Sequence, residues 1–470
     1  MCRSALFAVL FAALPGLADD QKPGLRAGAF AMNVTPEVFP ISVNGGMSDR
    51  QATKAHDPLH ARCLVLDDGK TKLAIVVVDS CMIPRELIDT AKRQAAAKTG
   101  IPASNMLVSA THTHTAPTVG GVFQSDPDAG YVKFLAAKIA DGIEKAHASR
   151  VPAEAGWGVV KEPSELFNRR WKMKAGVANP DPFGRSTDRV KMNPGYKNPG
   201  LLEPAGPIDP DVSVLSVRTA DGKPLALLAN YSLHYVGDLP PLSADYFGVF
   251  ADRVGGLIGA DEKFVGILSN GTSGDVNNID YSKGAPIPGK PGDRCRAVAE
   301  TVAKAAKKAY DSIKHRHDLT LAAAEEELEL KVRKPTEVEV GQAKGILAMA
   351  QGRSLKGVGE IYARETVLLS AYPDMVKAKL QALRVGELGI AAIPCEVFTE
   401  IGLAIKAGSP LKPTFTIELA NGYNGYLPTP AQHKLGGYET WRARSSYLEE
   451  EASEKITPVV LRLLGKVAGK

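Results

Sequence analysis

Apolar runs that stop abruptly at polar residues recur along this chain. The run over residues 72–79 is continuous and rich in β-branched residues, which predicts a strand buried on both faces. The shorter run over 106–110 predicts a second buried strand. Apolar residues at helical spacing over 86–98 place a helix between them. This strand–helix–strand order is typical of parallel strands in an α/β protein.

The rest of the pattern extends this architecture to the C-terminus. Further strands are expected at 28–35, 212–218, 224–233, 263–269, 319–332, 377–385, 388–393 and 414–419. Further helices are expected at 131–149, 295–312, 337–350 and 456–467. The stretch 159–210 is irregular and rich in Pro, Gly and Asn, which favours a substrate-facing loop. The predicted fold class is therefore α/β, with a mixed, largely central β-sheet flanked by helices in a single large catalytic domain.

Composition fits a large catalytic domain and argues against nucleic acid as a partner. The 470 residues are 44% hydrophobic, which is ample for a sizeable core. The net charge of +5 is small for this length, and the sequence has no concentrated basic stretch with interleaved aromatic residues. Electrostatic binding to a nucleic acid backbone is therefore not expected.

The N-terminus has the order of a secretory signal peptide. Arg3 precedes an apolar core over 5–14, and small residues over 16–18 occupy the expected cleavage positions. The apolar core is too short to span a membrane. We predict a signal peptide over 1–18, a mature domain over 19–470, and a secreted or periplasmic location.

Four cysteines follow the signal segment: Cys63, Cys81, Cys295 and Cys395. They lie far apart and show no C-x-x-C spacing, which argues against a cysteine zinc site. A disulfide between Cys63 and Cys81 is compatible with export, and the sequence leaves it open.

Two histidines, His112 and His114, follow the strand over 106–110 and suggest a metal site. If the backbone stays extended, residues two apart point to the same side, so both imidazoles would face one space. Neutral imidazole is the commonest metal ligand in proteins, and zinc is the first candidate. The alternative is a polar strand end whose histidines cap nearby backbone groups.

Other apolar runs also end at potential ligands, namely His234, Glu396 and the tyrosines near 438. Imidazole nitrogens and carboxylate oxygens suit Zn²⁺. Each residue alone has an ordinary structural explanation, because a histidine at a strand end is often a hydrogen-bonded core residue. A carboxylate such as Glu396, placed before a helix, is stabilised by the helix dipole. Convergence in one pocket is what would make the metal interpretation specific.

The ordered motifs resemble those of the neutral/alkaline, non-lysosomal ceramidase family. They are THTHTAP at 111–117, NYSLH at 230–234, SADYFG at 243–248, SGDV at 273–276, PCE at 394–396 and GYE at 437–439. The segment HDPLHAR at 56–62 and the pair Asn168 and Arg169 also fit. The resemblance covers nearly all of the mature chain and is to the catalytic domain of the family.

The resemblance implies a zinc amidase that cleaves the amide of N-acylsphingosine. The implied zinc ligands are His112, His234, Glu396 and Tyr438. His114 would stand beside the metal and orient substrate or shuttle a proton, and Arg169 would hold polar groups of the substrate. Asp275 and Asn277 lie in the segment that carries a catalytic serine in the family. A metal-activated water would attack the amide carbonyl.

Three departures mark the chain as a divergent member. Asn277 occupies the position of the family serine, and asparagine can donate a hydrogen bond to an oxyanion but is neither nucleophile nor base. Thr115 and Thr118 replace a serine and a glycine of the histidine motif. Full-length ceramidases carry an additional C-terminal β-sandwich domain, for which we expect no room in this sequence.

These departures leave two alternatives to amide hydrolysis. Asn277 motivates a degenerate member that binds zinc and a lipid without turnover. Arg169 and Arg170 motivate a zinc phosphatase or sulfatase that acts on an anionic ester. The expected partners are a small-molecule or lipid substrate and, through it, peripheral contact with a membrane; the oligomeric state is left open.

Overall fold

Two stacked β-sheets with helices on their outer faces organise the computed structural model, which describes residues 24–177 and 179–470. The predicted signal peptide over 1–18 lies outside the described residues. The larger sheet has eight strands: β1 Arg26–Asn33, β2 His60–Asp67, β3 Lys72–Val78, β4 Met106–Ala110, β5 Val151–Lys161, β6 Asp211–Thr219, β7 Pro224–Tyr231 and β8 Val265–Asn270.

The order of strands across this sheet is β8-β7-β6-β5-β1-β2-β3-β4. Neighbouring strands are antiparallel, except that β3 pairs parallel to β4 and β7 pairs parallel to β8. The predicted strand–helix–strand unit is therefore present at one edge. The sheet as a whole is mixed and central, which confirms the predicted fold class.

The smaller sheet supplies the second layer. Its four strands are β9 Leu321–Lys331, β10 Met375–Val385, β11 Leu388–Ala392 and β12 Thr414–Ile417. They lie in chain order across the sheet, and β11 pairs parallel to β12. Short strands elsewhere are Ile41–Val43, Arg50–Ala52, Phe167–Asn168, Arg170–Met173, Val190–Met192, Leu201–Pro204, Val276–Asn277, Glu396–Val397 and Tyr426–Leu427.

Helices cover the outer faces of both sheets. Their bounds are α1 Arg85–Thr99, α2 Ala129–Ala148, α3 Asp245–Leu257, α4 Asp293–Tyr310, α5 Glu337–Met349, α6 Gly357–Ser370, α7 Thr399–Gly408, α8 Pro430–Leu435 and α9 Ala452–Ala468. The first four pack on the larger sheet, and α7 and α9 pack on the smaller one. None of the helices among the described residues is long and apolar enough to cross a bilayer.

Strand β3 has a continuous apolar sequence because both of its faces are buried. Leu73, Ile75 and Val77 face the core between the two sheets. Ala74 and Val76 face the helices on the other side. Both faces of the strand are therefore buried, and polar residues appear where the strand ends and leaves the core.

The larger sheet curls so that its two edges approach each other. β1 and β5 pair through Arg26 and Ala27, at the ends of both strands. The two edge strands, β4 and β8, are in contact. Loops that follow strands from distant parts of the sequence therefore reach one place. This curvature positions the site described below.

Two regions differ from the sequence-based expectation. The stretch 159–210, expected to be irregular, contributes to a three-stranded sheet made of Arg170–Met173, Val190–Met192 and Leu201–Pro204. Helix α6 was not predicted, and it packs against α5. All four described cysteines are free and buried, so Cys63 and Cys81 form no disulfide.

One buried amine gives the fold a distinctive dependence on pH. Lys92 on α1 is 1% exposed, and its Nζ donates a hydrogen bond to Asn421 Oδ1 at 2.7 Å. Burial, followed by the charge of Lys379, lowers the pKa of Lys92 to about 7. The unfolded state therefore binds more protons than the native state between about pH 7 and pH 10.

We expect Lys92 to add roughly 2–3 kcal/mol to the free energy of unfolding between about pH 7 and pH 9.5, because the unfolded state must release a proton that the native state does not hold. The buried Glu418, whose pKa is raised to about 8, acts in the opposite direction, so the contribution of Lys92 is read from the difference in slope between the wild type and a variant without this amine. Urea denaturation across this range measures it. The Lys92→Met variant should lose this contribution, whereas Lys304→Met, at an exposed lysine of α4, should keep it. Equal slopes in wild type and Lys92→Met would contradict the assignment.

Candidate metal centre

A small cavity of about 30 Å³ lies where loops from both sheets meet. Its lining includes two imidazoles, one carboxylate and three phenols. These belong to His112, His114, Glu396, Tyr423, Tyr426 and Tyr438. The two histidines follow strand β4, Glu396 and Tyr426 lie on short strands, and Tyr438 lies on a 3-10 turn after α8. The volume is that of about one water molecule, so the ligand atoms around it are close together.

Three buried ligand-type atoms, from two lining residues and from His234 next to them, lie within 4.8 Å of one another. His112 Nε2 lies 3.0 Å from His234 Nε2 and 3.3 Å from Glu396 Oε2. The three residues are at most 2% exposed. Ligands placed about 2.1 Å from a tetrahedral zinc lie about 3.4 Å from one another, so this spacing fits a metal ion between them.

Backbone carbonyls orient both imidazoles. His112 Nδ1 lies 2.7 Å from the carbonyl oxygen of Cys81, and His234 Nδ1 lies 3.2 Å from that of Ser273. Donation from each Nδ1–H leaves the lone pair of each Nε2 directed into the cavity. Two such lone pairs repel unless a cation lies between them. This arrangement matches the way metal-binding histidines are held in proteins.

The local backbone at His112 differs from the extended strand that the sequence suggested. His112 has φ of +70°, in the left-handed region that side chains other than glycine seldom adopt. Its backbone N–H donates to the carbonyl of Ser80, which stabilises the turn. His112 and His114 therefore reach one cavity through a turn, and backbone strain is concentrated at a predicted ligand.

His114 stands beside the other two imidazoles. Its Nε2 lies 3.1 Å from His112 Nε2, and its ring stacks on Tyr235 with centroids 3.7 Å apart. A Cβ atom at Gly45 would lie 2.4 Å from the ring of His114, so the close approach requires glycine. Gly45 also has φ of +96°. The ring is thus clamped between a tyrosine and a glycine turn.

The carboxylate of Glu396 is only partly satisfied by protein groups. Tyr423 OH donates to Glu396 Oε1 at 3.0 Å. Glu396 Oε2 is buried and has no hydrogen-bond partner among the described residues. A carboxylate oxygen in such a site is costly unless a cation meets it, either a protonated His112, 3.3 Å away, or a metal ion. Tyr438 lines the same cavity and packs edge-on against Tyr426, with ring centroids 5.8 Å apart.

Burial and neighbouring charges shift the pKa values of His112 and His234 in opposite directions. Burial opposes a charge on His112, but Glu396 and Cys81 raise the pKa of His112 well above its usual value. Burial also opposes the ionised form of Glu396, yet His112 lowers the pKa of that carboxyl. Burial and the charge of Arg169 hold the pKa of His234 well below its usual value. The cavity therefore favours one positive charge next to a carboxylate.

A second buried carboxylate supports His234 from behind. Glu418 Oε1 accepts from Ser273 Oγ at 2.6 Å, and Glu418 Oε2 accepts from the Val397 N–H at 2.7 Å. Burial raises the pKa of Glu418 to about 8. Ser273 supplies the carbonyl that binds His234. Glu418 therefore links the loop of Ser273, whose carbonyl contacts His234, to the short strand that carries Glu396.

The remaining predicted residues lie around this cavity rather than in its lining. Arg169 Nε donates to Glu439 Oε1 at 3.0 Å, and its NH2 donates to Tyr426 OH at 3.1 Å, so the guanidinium lies behind Tyr426. Asp275 Oδ2 accepts from Asn168 Nδ2 at 2.7 Å, and its other oxygen accepts from the Thr399 N–H and hydroxyl at 2.9 and 3.0 Å.

Asn277 lies on the neighbouring short strand Val276–Asn277. Its Nδ2 donates to Asn193 Oδ1 at 2.9 Å, and its Oδ1 accepts from the Ile279 N–H at 3.0 Å. These bonds tie two loops together. The structure thus brings together five of the predicted residues, namely His112, His114, His234, Glu396 and Tyr438. The other three, Arg169, Asp275 and Asn277, bind residues around this group. The catalytic roles of all eight stay predictions.

Several residues at the site were not assigned from the sequence. Tyr423 binds Glu396, Ser273 and Glu418 support His234, and Phe123 lines the cavity. The segment NGYNGYLP at 421–428 follows the predicted strand over 414–419. Nothing in its local pattern distinguishes the tyrosine that faces a carboxylate from one that packs.

Two solved structures share this fold. The chain is similar to the neutral ceramidase from Pseudomonas aeruginosa, at 18% identity and a TM-score of 0.70 over 94% of this chain and 75% of that one. It is also similar to a ceramidase complexed with C2, at 17% identity and a TM-score of 0.72 over 95% of this chain and 75% of that one. No family model matches the sequence. At these identities the comparisons show that the chain has a fold similar to that of neutral ceramidase.

Proposed function

We propose that this protein is a zinc-dependent hydrolase that cleaves the amide bond of an N-acyl compound, either lipid-like or small. The observation that carries the proposal is the convergence of the buried side chains of His112, His234 and Glu396, whose ligand atoms lie within 4.8 Å of one another beside the cavity. The similarity of the fold to neutral ceramidase supports a hydrolase of this kind.

The donor set fits zinc. Two neutral imidazoles and a carboxylate form a common set for a catalytic zinc site, and such a site keeps a position open for water or substrate. Tyr438, which lines the cavity, completes the proposed set. Zinc in this position would polarise the substrate carbonyl and lower the pKa of a coordinated water to about 7.

The protein side chains would position the substrate and move the proton. Burial, followed by the charge of His112, holds the pKa of His114 well below its usual value, so its ring is neutral and would readily release any proton that it took up. Beside the cavity it could then pass that proton to the leaving nitrogen. Arg169 would fix the phenol of Tyr426 at the wall of the cavity.

The segment that carries the family serine has a supporting role in this proposal. The amide of Asn277 is engaged by Asn193 and by the Ile279 N–H, so we assign Asn277 to the positioning of two loops. Asp275 has the same function through Asn168 and Thr399. We further propose that the protein is exported, on the basis of the signal-like sequence over 1–18.

Removal of a metal ligand tests the proposal directly. The wild type should bind about one zinc per chain and hydrolyse a chromogenic N-acyl substrate, and chelation should abolish the activity. We expect His112→Ala and His234→Ala each to lower kcat/KM by more than about 100-fold and to lose bound zinc. Elemental analysis and steady-state kinetics measure both effects.

His147→Ala is the matched control, because His147 lies at the end of α2 and should leave zinc content and rate unchanged. Circular dichroism of all three variants excludes a general loss of folding. A zinc-free wild type, or hydrolysis that survives both cavity substitutions, would refute the proposal.

Substitution of Asn277 separates the active enzyme from a degenerate binding protein. If Asn277 supports loops, Asn277→Ser should change kcat by less than about fivefold, because a direct oxyanion donor would cost about 100-fold or more. The measurement is a rate comparison on the same chromogenic amide. A wild type without activity that gains amidase activity on Asn277→Ser would instead favour the degenerate alternative.

The anionic-ester alternative is tested on the same samples. Arg169 and Arg170 share the carboxylate of Glu439, at 3.0 and 2.6 Å, and both side chains are buried, so their guanidinium groups are engaged within the fold rather than presented to a ligand. We therefore expect no turnover of aryl phosphates or aryl sulfates. Hydrolysis of either at a rate above that of the amide would favour the phosphatase or sulfatase interpretation.

A further inference from the structure

A larger cleft opens beside the metal cavity. It has a volume of about 520 Å³ and shares Met82, Val122 and Tyr423 with the lining of the cavity. The cavity has room for about one water molecule, so most of any substrate must lie outside it. The cleft has the size of a small-molecule binding site.

The wall between the two spaces is fixed by hydrogen bonds. Tyr423 lines both spaces, and its hydroxyl binds Glu396 in the metal cavity. The loop over 120–123 also lines both, with Gly120 on the cleft side and Phe123 on the cavity side. A substrate that lies in the cleft would therefore pass over this wall to reach the predicted ligands.

A buried carboxylate holds that loop in a strained conformation. Phe123 has φ of +56°, which is unusual for an aromatic residue. Its N–H donates to Glu365 Oε1 at 2.9 Å, and its carbonyl accepts from Arg444 NH2 at 3.3 Å. Glu365 is fully buried and also binds Arg444, at 2.7 Å. These hydrogen bonds hold the wall in one conformation.

Basic side chains outnumber acidic ones in the lining of the cleft, and carboxylates of adjacent residues lie close to them. The lining contains four basic residues and one acidic residue, namely Arg85, Lys377, Lys379, Arg444 and Glu86. Three of the basic groups have close carboxylate partners, but the nearest carboxylate oxygens to Lys377 Nζ lie 3.9 and 4.0 Å away. Lys377 is also 56% exposed. It is therefore the cation most available to an anionic ligand.

Apolar surface lies next to these charges. Pro84, Tyr372, Val376 and Tyr447 line the same cleft. An occupant would therefore combine an apolar portion with a negatively charged group. Its negative charge would distinguish this ligand from a neutral amphiphile of the same size.

We propose that this cleft binds the anionic end of the substrate, and that the substrate is an N-acyl amino acid. The inference rests on the proposed amide hydrolysis and specifies its substrate class. Hydrolysis would break the C–N bond of the amide and form a C–O bond to the oxygen of water. The products would be a fatty carboxylate and a free amino acid whose amine has taken up the protons released.

A matched pair of substrates tests the charge preference. N-lauroylglycine carries a carboxylate, whereas N-lauroylethanolamine has the same acyl chain and no charge. For the zinc-loaded wild type we expect kcat/KM to be at least about tenfold higher for the glycine conjugate. Lys377→Met should raise KM for that conjugate by about threefold to tenfold, leave its kcat unchanged, and leave the neutral substrate unaffected.

Lys304→Met is the control variant, since it removes an exposed lysine on the distant helix α4. Calorimetric titration of N-lauroylglycine into the zinc-loaded wild type and the Lys377→Met variant measures binding independently of turnover. Binding that depends on Lys377 without hydrolysis would overturn the proposed function and support the cleft assignment. Equal hydrolysis of both substrates without an effect of Lys377→Met, or no binding of N-lauroylglycine, would overturn the cleft assignment.

Discussion

The close approach of buried ligand atoms is the constraint on which the rest of the site depends. His112 Nε2 lies 3.0 Å from His234 Nε2, and both rings have their Nδ1 engaged by backbone carbonyls. Lone pairs that meet in a site without solvent repel unless a proton or a metal ion lies between them. The unpartnered oxygen of Glu396 adds negative charge at the same place. A metal ion bound at this place would relieve both the repulsion and the unbalanced charge.

The architecture serves this convergence at several levels. The larger sheet curls until its edge strands β4 and β8 are in contact, which brings together loops that are distant in sequence. Glu418 then links the loops of Ser273 and Val397, and Tyr423 fixes one oxygen of Glu396. Backbone strain at His112 is the local consequence. Rigid neighbours of this kind keep ligands in place before the metal binds.

The fold could be predicted from the sequence to the extent that burial determines the pattern. The run of β3 is apolar throughout because alternate residues face two different cores. His112, His234 and Glu396 were identifiable because each follows such a run and belongs to an ordered motif. Helix α6, the turn at His112 and the orientation of Tyr423 were not, because they follow from tertiary contacts that leave no periodic signal. Phe123 is a similar case, since its conformation depends on Glu365, 242 positions away.

The central claim is that zinc binds at the convergence of His112, His234 and Glu396. X-ray absorption spectroscopy at the zinc edge, on the wild type loaded with one equivalent, tests it most directly. We expect nitrogen and oxygen ligands alone, at about 2.0–2.2 Å, with the scattering pattern of two imidazoles that is lost in His112→Ala. A sulfur ligand at about 2.3 Å, which Cys81 would supply, or a spectrum unchanged by His112→Ala, would contradict the account.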